Sequence, residues 1–168
     1  RMSKTSIGSS IQIRDATPAD VPAITAIYRP AVTDGTASFE LEPPDEVEMR
    51  RRFDTVVGGG FPYLVAVVDG EVQGYAYVSQ YRPRPAYRFS VENSIYVAPS
   101  AHRGGIGRVL LSALIERCTA DGYRQMIAVI GDGTQQKGSV ALHTALGFRM
   151  IGTIKSVGWK HGRWLDSV

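Results

Sequence analysis

A short glycine-rich turn between an apolar segment and a helical pattern is the feature that most constrains this chain. The turn lies in residues 101–109, AHRGGIGRV, and follows the strand-like residues 94–97. Its three glycines allow the backbone to turn tightly, and the helix that follows offers unpaired N–H groups and the positive end of its dipole. The order strand, glycine loop, helix therefore predicts an anion-binding site whose expected ligand is rich in phosphate.

The glycine spacing separates this loop from two well-known phosphate-binding motifs. It contains neither G-x-x-x-x-G-K-[ST] nor the dinucleotide fingerprint G-x-G-x-x-G. On the loop alone, a purely structural turn before a helix stays open as the alternative.

Three separated segments resemble the GNAT N-acetyltransferase superfamily. Residues 92–116 (ENSIYVAPSAHRGGIGRVLLSALIE) are similar to its acyl-CoA-binding segment, whose loop reads [QR]-x-x-G-x-[GA]. His102 occupies the first position of that pattern, where the family has Gln or Arg. Residues 139–148 (SVALHTALGF) resemble a second family segment, and residues 158–168 (GWKHGRWLDSV) resemble the end of the phosphinothricin N-acetyltransferase branch.

The resemblance implies an α/β fold, the GNAT fold, in which a mixed, mostly antiparallel sheet is flanked by helices on both faces. It covers a single domain over residues 11–168, and the polar residues 1–10 are interpreted as a tag remnant or a disordered N-terminus. The hydrophobic patterns agree, because strand-like and helix-like segments alternate with short links. The strongest local signal is the Asp69-Gly70 dipeptide, which predicts a β-hairpin.

Composition excludes several other classes of protein. The net charge of +3 is mild and most basic residues are dispersed, so no nucleic-acid partner is expected. No apolar run approaches 20 residues, and there is no signal-peptide pattern, so we expect a cytoplasmic protein without a membrane segment. Cys118 is the only cysteine, which excludes an intrachain disulfide, and the absence of a Cys/His cluster predicts no metal site.

Glu92 is the candidate catalytic base. It lies on the strand that leads to the glycine loop, where period-two alternation places Glu92, Ser94 and Tyr96 on one face. An alkylammonium group has a pKa near ~10, so a carboxylate whose pKa is raised by partial burial can remove its proton, through water, during acyl transfer. In the resembling branch the motif V-E-x-S/T-[VI]-Y-V carries the proposed catalytic Glu. A surface ion pair is the alternative.

His143 is the second catalytic candidate, and its role rests on the resemblance. Many family members place a Tyr general acid at this position of the L-Y-x-x-x-G-F segment, where the branch has His. The imidazole can donate to the departing thiolate or hydrogen-bond the cofactor. A helix histidine satisfied by its neighbours stays open.

The resemblance implies acetyl-CoA (coenzyme A) as the cofactor. The loop supplies backbone N–H groups and two arginines, and a backbone N–H near Val97 is the implied donor to the thioester oxygen. The branch usually has Asn where this chain has Gln136, which leaves that pantetheine contact open. The full set of candidate cofactor-binding residues is Ile95, Tyr96, Val97, His102, Arg103, Gly104, Gly105, Ile106, Gly107, Arg108, Gln136 and Ser139.

The acceptor site is predicted around the arginine-rich residues 81–88. Their guanidinium groups alternate with prolines and aromatic rings, a pattern suited to a carboxylate or phosphinate. Trp159, His161 and Trp164 are assigned to packing or to a dimer contact rather than to catalysis. The candidate substrate-binding residues are Phe39, Tyr75, Arg82, Arg84 and Tyr87.

The combined hypothesis is an acetyl-CoA-dependent N-acetyltransferase that acts directly on the α-amine of a small amino-acid-like acceptor. Phosphinothricin, methionine sulfoximine and methionine sulfone are the acceptors that the resemblance implies, together with a homodimer. Direct transfer is favoured because Cys118 falls on the apolar stripe of its helix, where burial disfavours an acyl-carrier role. The alternatives are another amine, such as a polyamine or a protein N-terminus, and a non-catalytic CoA-binding module.

Overall fold

A computed structural model describes residues 10–168. The interpretation of residues 1–10 as a tag remnant or disordered N-terminus therefore lies outside the described residues, except for Ser10. Strands and helices alternate along the described chain. They are β1 Ile11–Asp15, α1 Val21–Thr33, α2 Glu46–Gly58, β2 Tyr63–Val68, β3 Glu71–Gln80, β4 Ser90–Val97, α3 Ile106–Ala120, β5 Gln125–Ala128, α4 Lys137–Ala145, β6 Ile154–Lys160 and β7 Arg163–Ser167.

The central sheet has the order β1-β2-β3-β4-β5. Its first three pairings are antiparallel, and β4 and β5 run parallel. β6 and β7 form a separate antiparallel hairpin, which is joined to the chain after β5 by backbone hydrogen bonds between Ile130 and Val168 and from Asp132 to Asp166. The predicted mixed, mostly antiparallel sheet is confirmed.

Local sequence explains where these elements begin and end. The Asp45 carboxylate accepts a hydrogen bond from the Glu48 N–H at 2.9 Å and caps α2, which ends at Gly58. Asp69 and Gly70 both have positive φ, +50° and +79°, as a type I′ hairpin turn requires. α3 begins at residue 106, directly after Gly105, and β5 spans only four residues.

Two hydrophobic clusters cover the two faces of the sheet. One packs α1 and α2 against an aromatic group that includes Tyr28, Phe53, Tyr63 and Tyr75. The other packs α3 through three leucines and Cys118, and burying a leucine contributes about 1.5–3 kcal/mol. Because burial raises the pKa of the Cys118 thiol to about 11, this group stays protonated and is a core side chain rather than a nucleophile.

Within residues 10–168, none of the helices combines the length and the apolar character needed to span a membrane.

Candidate active site

The sheet opens where β4 and β5 stop pairing. Their ladder runs from the pair Ser90 and Gln125 to the pair Asn93 and Ala128, after which β4 continues to Val97 paired only with β3. In the antiparallel β3–β4 ladder the hydrogen-bonded pairs include Gln73 with Ala98. Alternation along the ladder then directs the backbone N–H and C=O groups of Ile95 and Val97 away from β3 and into the gap.

A continuous cleft fills this gap. Its inner cavity, of about 280 Å³, lies at the point where the strands separate and is lined by Glu92, Asn93 and His143. Its outer cavity, of about 670 Å³, extends along β4 to the glycine loop. Both cavities share the lining residues Ala37, Ile95, Tyr96, Gln136 and Ser139.

The glycine loop forms the outer end of the cleft. Arg103 and Gly105 have positive φ, +69° and +79°, a coiled backbone in which successive N–H groups can form an anion-binding concavity beside the start of α3. The first N–H groups of α3 have no partners inside the helix and lie at the positive end of its dipole. Together with the exposed Arg103 and Arg108 side chains, they form a site for anionic groups.

His102 is tied to the strand instead of facing outward as a free side chain. Its Nε2–H donates to the Val97 carbonyl oxygen at 3.0 Å, because a carbonyl can only accept. The Val97 carbonyl, the last one on β4 that points into the gap, accepts this bond, whereas the Val97 N–H points into the gap without it. The imidazole therefore fixes the loop against β4 at the position where the family pattern has Gln or Arg.

Gly107 brings α3 and α4 close together beside the cleft. A Cβ at this position would lie 3.2 Å from Leu142 Cδ2, which is closer than side chains normally pack. The missing side chain lets α4 approach, so that Gln136 and Ser139 reach the cleft wall. These two predicted cofactor residues and the glycine loop are thus brought into one site.

Glu92 lies in the inner cavity and is half-buried. Burial raises the pKa of its carboxyl group above the usual value, because ionisation is less favourable away from water. Among residues 10–168 the carboxylate has no hydrogen bond or ion pair. The surface ion pair considered as the alternative is absent from this part of the chain, and the carboxylate is free to take a proton from a group in the cleft.

His143 is buried at 4% exposure and has hydrogen bonds at both ring nitrogens. Nδ1 lies 2.7 Å from the Ser139 carbonyl oxygen, and Nε2 lies 3.0 Å from Asn93 Nδ2. Burial lowers the pKa of His143 despite the bond to Ser139. A neutral, fully bonded imidazole is poorly suited to donate a proton, so its predicted role as a general acid is not supported by this geometry.

A polar network holds the segment after α1 over the inner cavity. The buried Asp132 carboxylate accepts from Thr36 Oγ1 at 2.5 Å and from Arg163 Nη2 at 2.7 Å, while Gln136 also donates to Thr36. Lys160, 3% exposed, donates to the Ser38 carbonyl at 2.7 Å. The segment is therefore fixed to β6, β7 and the loop before α4.

No pattern in the sequence singled out Asp132, Lys160 or Asn93 as site residues. Asp132 has a signal in retrospect, because it is the only acidic residue between Asp121 and Asp166 and stands between two glycines. Nothing in the sequence marks Lys160 as buried.

The predicted acceptor residues are not all brought together. Phe39 lines the inner cavity. Arg82, Arg84 and Tyr87 are exposed in the loop between β3 and β4 and line neither cavity, although the loop adjoins the start of β4 close to Glu92. The Arg82 guanidinium lies over the Tyr81 ring at 5.2 Å and the Tyr87 ring at 6.0 Å.

The prediction that Tyr75 contacts the acceptor does not fit the structure. Tyr75 is 1% exposed and packs between Tyr63, Tyr77 and Tyr96, outside the lining of both cavities. Its even-numbered neighbours on β3 face α3, so strand alternation sends Tyr75 into the aromatic core under α1 and α2. It is a packing residue.

The mixed sheet, the cleft where β4 and β5 separate and the glycine loop at its outer end are features of an acyltransferase. Residues 13–168 match the family model described as "Acetyltransferase (GNAT) domain", and the chain belongs to this family of acetyltransferases.

Two relatives named for their activities agree with this family. The chain is 54% identical over 149 residues to a phosphinothricin N-acetyltransferase of Alcaligenes faecalis, covering 89% of this chain and 75% of that protein. It is 44% identical over 158 residues to an L-methionine sulfoximine/L-methionine sulfone acetyltransferase of Pseudomonas aeruginosa, covering 94% and 91%.

A crystal structure of a GNAT phosphinothricin acetyltransferase from Sinorhizobium meliloti in complex with acetyl-CoA superimposes with a TM-score of 0.89. It is 53% identical, and the match covers 96% of this chain and 85% of that one.

Proposed function

We propose that the chain acetylates the α-amine of a small amino-acid-like acceptor such as phosphinothricin, methionine sulfoximine or methionine sulfone, with acetyl-CoA as the donor. The observation that carries the proposal is the single half-buried, unpaired carboxylate of Glu92 in the inner cavity. A CoA-binding module without catalysis has no use for such a group. The names of the relatives at 54% and 44% identity support the acceptor class.

The cleft fits the proposed donor by the chemistry of its walls. The glycine loop and the start of α3 suit a pyrophosphate, and the backbone groups of Ile95 and Val97 that face the gap suit the amides of a pantetheine arm. When bound, acetyl-CoA supplies an activated acetyl group as a thioester. The Val97 N–H is positioned to stabilise negative charge on an oxygen in the gap.

Glu92 acts as the general base of the proposed reaction. Because its pKa is raised, the Glu92 carboxylate is a stronger base and accepts a proton from an ammonium group more readily. General bases of this kind typically increase the reaction rate roughly 10²–10⁴-fold. The thiol of Cys118 is buried on the core-facing side of α3, so acetyl passes directly to the amine.

The arginine-rich loop is proposed to recognise the anionic head of the acceptor. Arg82 is already oriented by its contacts with Tyr81 and Tyr87, which reduces the entropy lost on binding. Replacing Arg82 or Arg84 with Gln is expected to raise the KM for the acceptor while the KM for acetyl-CoA stays unchanged.

The proposal extends to a homodimer in the cytoplasm. Trp159 and Trp164 stack edge to face at 5.0 Å on the β6–β7 hairpin, yet they are 57% and 61% exposed, as expected of a contact surface rather than a core. A single unpaired thiol fits a reducing compartment. Sedimentation equilibrium of the wild type and of Trp164→Ser tests the dimer, since loss of the ring should shift the protein toward monomer.

A thiol-release assay with acetyl-CoA tests the activity. Phosphinothricin, methionine sulfoximine, methionine sulfone, plain amino acids and polyamines are compared on the wild type, Glu92→Gln and Glu71→Gln, the last removing an exposed carboxylate outside the cleft. The expected result is turnover confined to the amino-acid-like acceptors, lost in Glu92→Gln and kept in Glu71→Gln. Turnover on polyamines contradicts the acceptor class, and equal rates in Glu92→Gln contradict the base.

A further inference from the structure

The side-chain amide of Asn93 is buried next to His143 at the inner end of the cleft. Asn93 is 6% exposed, lines the inner cavity, and stands in the last residue pair before β4 and β5 separate. Its Oδ1 is a buried acceptor without a hydrogen-bond partner among residues 10–168. Leaving a buried acceptor unsatisfied costs about 1–3 kcal/mol, so such a group points to a function.

The hydrogen bonds of His143 fix which way this amide faces. The Ser139 carbonyl can only accept, so His143 Nδ1, at 2.7 Å, must carry the proton. In the neutral ring Nε2 is then an acceptor, and the group 3.0 Å away on Asn93 must be the NH₂. With the Asn93 NH₂ bonded to His143, the Asn93 Oδ1 must point away from the imidazole.

The neutral state that this assignment requires agrees with the surroundings. His143 is 4% exposed and its ring packs edge to face against Phe148 at 4.9 Å, so a charged imidazole would be poorly solvated. Among residues 10–168 no carboxylate forms a hydrogen bond or ion pair with the ring, whose two nitrogens bond to Ser139 and Asn93.

From these contacts we infer that Asn93 is a ligand-binding residue whose Oδ1 accepts a hydrogen bond from an N–H group at the reacting end of the cleft, and that His143 is a positioning residue that holds the amide in this orientation. The inference rests on the proposed acyl-transfer function. It gives His143 a role in the site without proton donation.

Two parts of the reacting system carry a suitable N–H. One is the amino group of the acceptor, and the other is the amide of the donor's pantetheine arm. Glu92 and Asn93 are consecutive on β4 and project to opposite faces, so each can contact a different side of a group held between them. The amino group of the acceptor and the pantetheine amide both offer an N–H donor, and separate binding measurements distinguish these two sources.

The first test reads the orientation directly. In ¹⁵N-histidine-labelled wild type, we expect His143 to carry its proton on Nδ1 and not on Nε2 in two-bond ¹H–¹⁵N spectra. In Asn93→Asp the carboxylate has no N–H to donate, so Nε2 should become protonated. A protonated Nε2 in the wild type overturns the inference, because the Asn93 oxygen would then face the imidazole.

The second test identifies the source of the N–H. Asn93→Leu keeps the approximate size of the side chain and removes the acceptor oxygen. If a pantetheine amide donates the hydrogen bond to Asn93, we expect coenzyme A to bind about tenfold more weakly by calorimetry. If the amine of the acceptor donates it, we expect the KM for methionine sulfone to be about tenfold higher while coenzyme A binding is unchanged. Unchanged values for both overturn the inference.

A third measurement needs no variant and therefore covers the case in which Asn93→Leu fails to fold. The Asn93 side-chain amide signals of the wild type should shift when coenzyme A or methionine sulfone is added, and the absence of any shift with both overturns the inference. Wild-type turnover is recorded on the same sample. Absent turnover together with the expected tautomer and shifts contradicts the proposed function and leaves the role of Asn93 standing.

Discussion

Asn93 stands opposite Ala128 in the last residue pair of the β4–β5 ladder, and the residue before it in the chain is Glu92. Because neighbouring strand residues face opposite sides of a sheet, the carboxylate and the amide reach the same opening from different directions. The end of one ladder thus places a proton acceptor and a hydrogen-bonding amide at one point.

The raised pKa of Glu92 predicts how activity depends on pH. The base works only when ionised, so the acidic limb of the kcat/KM profile should lie above the ordinary Glu value of about 4.3. A profile for methionine sulfone, measured on the wild type, checks this. An acidic limb at or below the ordinary value would show that Glu92 is not the titrating base.

The burial of Glu92 also predicts that removing its negative charge stabilises the fold. A folded-state pKa above the unfolded value gives stability that is present at low pH and lost as the pH rises through the folded pKa. At pH ~7 the ionised Glu92 therefore destabilises the fold, and Glu92→Gln should have a higher free energy of unfolding. Urea titrations at neutral and acidic pH should show this advantage shrinking as the pH falls.

Gly105 and Gly104 offer a matched test of the anion site. Gly105 has φ +79°, a conformation that costs an alanine about 1–2 kcal/mol, whereas Gly104 lies outside that region and a Cβ there meets only ordinary contact at 3.4 Å. We expect Gly105→Ala to weaken coenzyme A binding about tenfold, since the N–H groups before α3 must shift. Calorimetry should find Gly104→Ala close to the wild type, and equal losses in both variants would argue against a conformational cause.

Much of the fold and part of the site were predictable because short-range patterns determine them. The Asp69-Gly70 turn, the Asp45 cap and the alternation along β4 each act over a few residues, so the sequence alone indicates them. Glu92 was predicted in this way, from a strand followed by a glycine loop.

The remaining site residues depend on contacts between distant parts of the chain. Asn93 and His143 are 50 residues apart, and Lys160 and Ser38 are 122 apart, so no local pattern links them. Tyr75 was misassigned for a related reason. Its aromatic character suits both a substrate pocket and a core, and only the packing of Tyr63, Tyr77 and Tyr96 around it decides between them.

The contact between Phe39 and Gly158 predicts that a substitution at this glycine changes the KM for the acceptor and not the binding of coenzyme A. A Cβ on Gly158 would lie 2.6 Å from Phe39 Cε2, so Gly158→Ala must displace this ring, which lines the inner cavity. The KM for methionine sulfone should rise, and coenzyme A affinity should not change, because the outer cavity is untouched. Gly152→Ala, where nothing lies within 4 Å, is the control. An unchanged acceptor KM in Gly158→Ala would remove Phe39 from the acceptor site.

Of the substitutions considered, we expect the one that breaks the Asp132–Arg163 ion pair to cause the largest loss of stability. The side chain of Asp132 is 2% exposed, so Arg163→Met would leave a buried carboxylate without its cation, at a cost of about 3 kcal/mol. Burial opposes ionisation, but the bonds from Arg163 and Thr36 lower the pKa of Asp132 overall. That contribution is present above the unfolded pKa and is lost as the pH falls through the folded one.

The matched control for this pair is Arg50→Met, which breaks the exposed ion pair with Asp54 and should cost less than about 1 kcal/mol. Urea unfolding at neutral pH should separate the two variants clearly, and the gap between Arg163→Met and the wild type should narrow below pH ~4 as Asp132 takes up a proton. A loss in Arg163→Met no greater than that in Arg50→Met would mean that Thr36 alone satisfies Asp132. The Thr36–Asp132 and Lys160–Ser38 hydrogen bonds would then hold the segment over the inner cavity without help from Arg163.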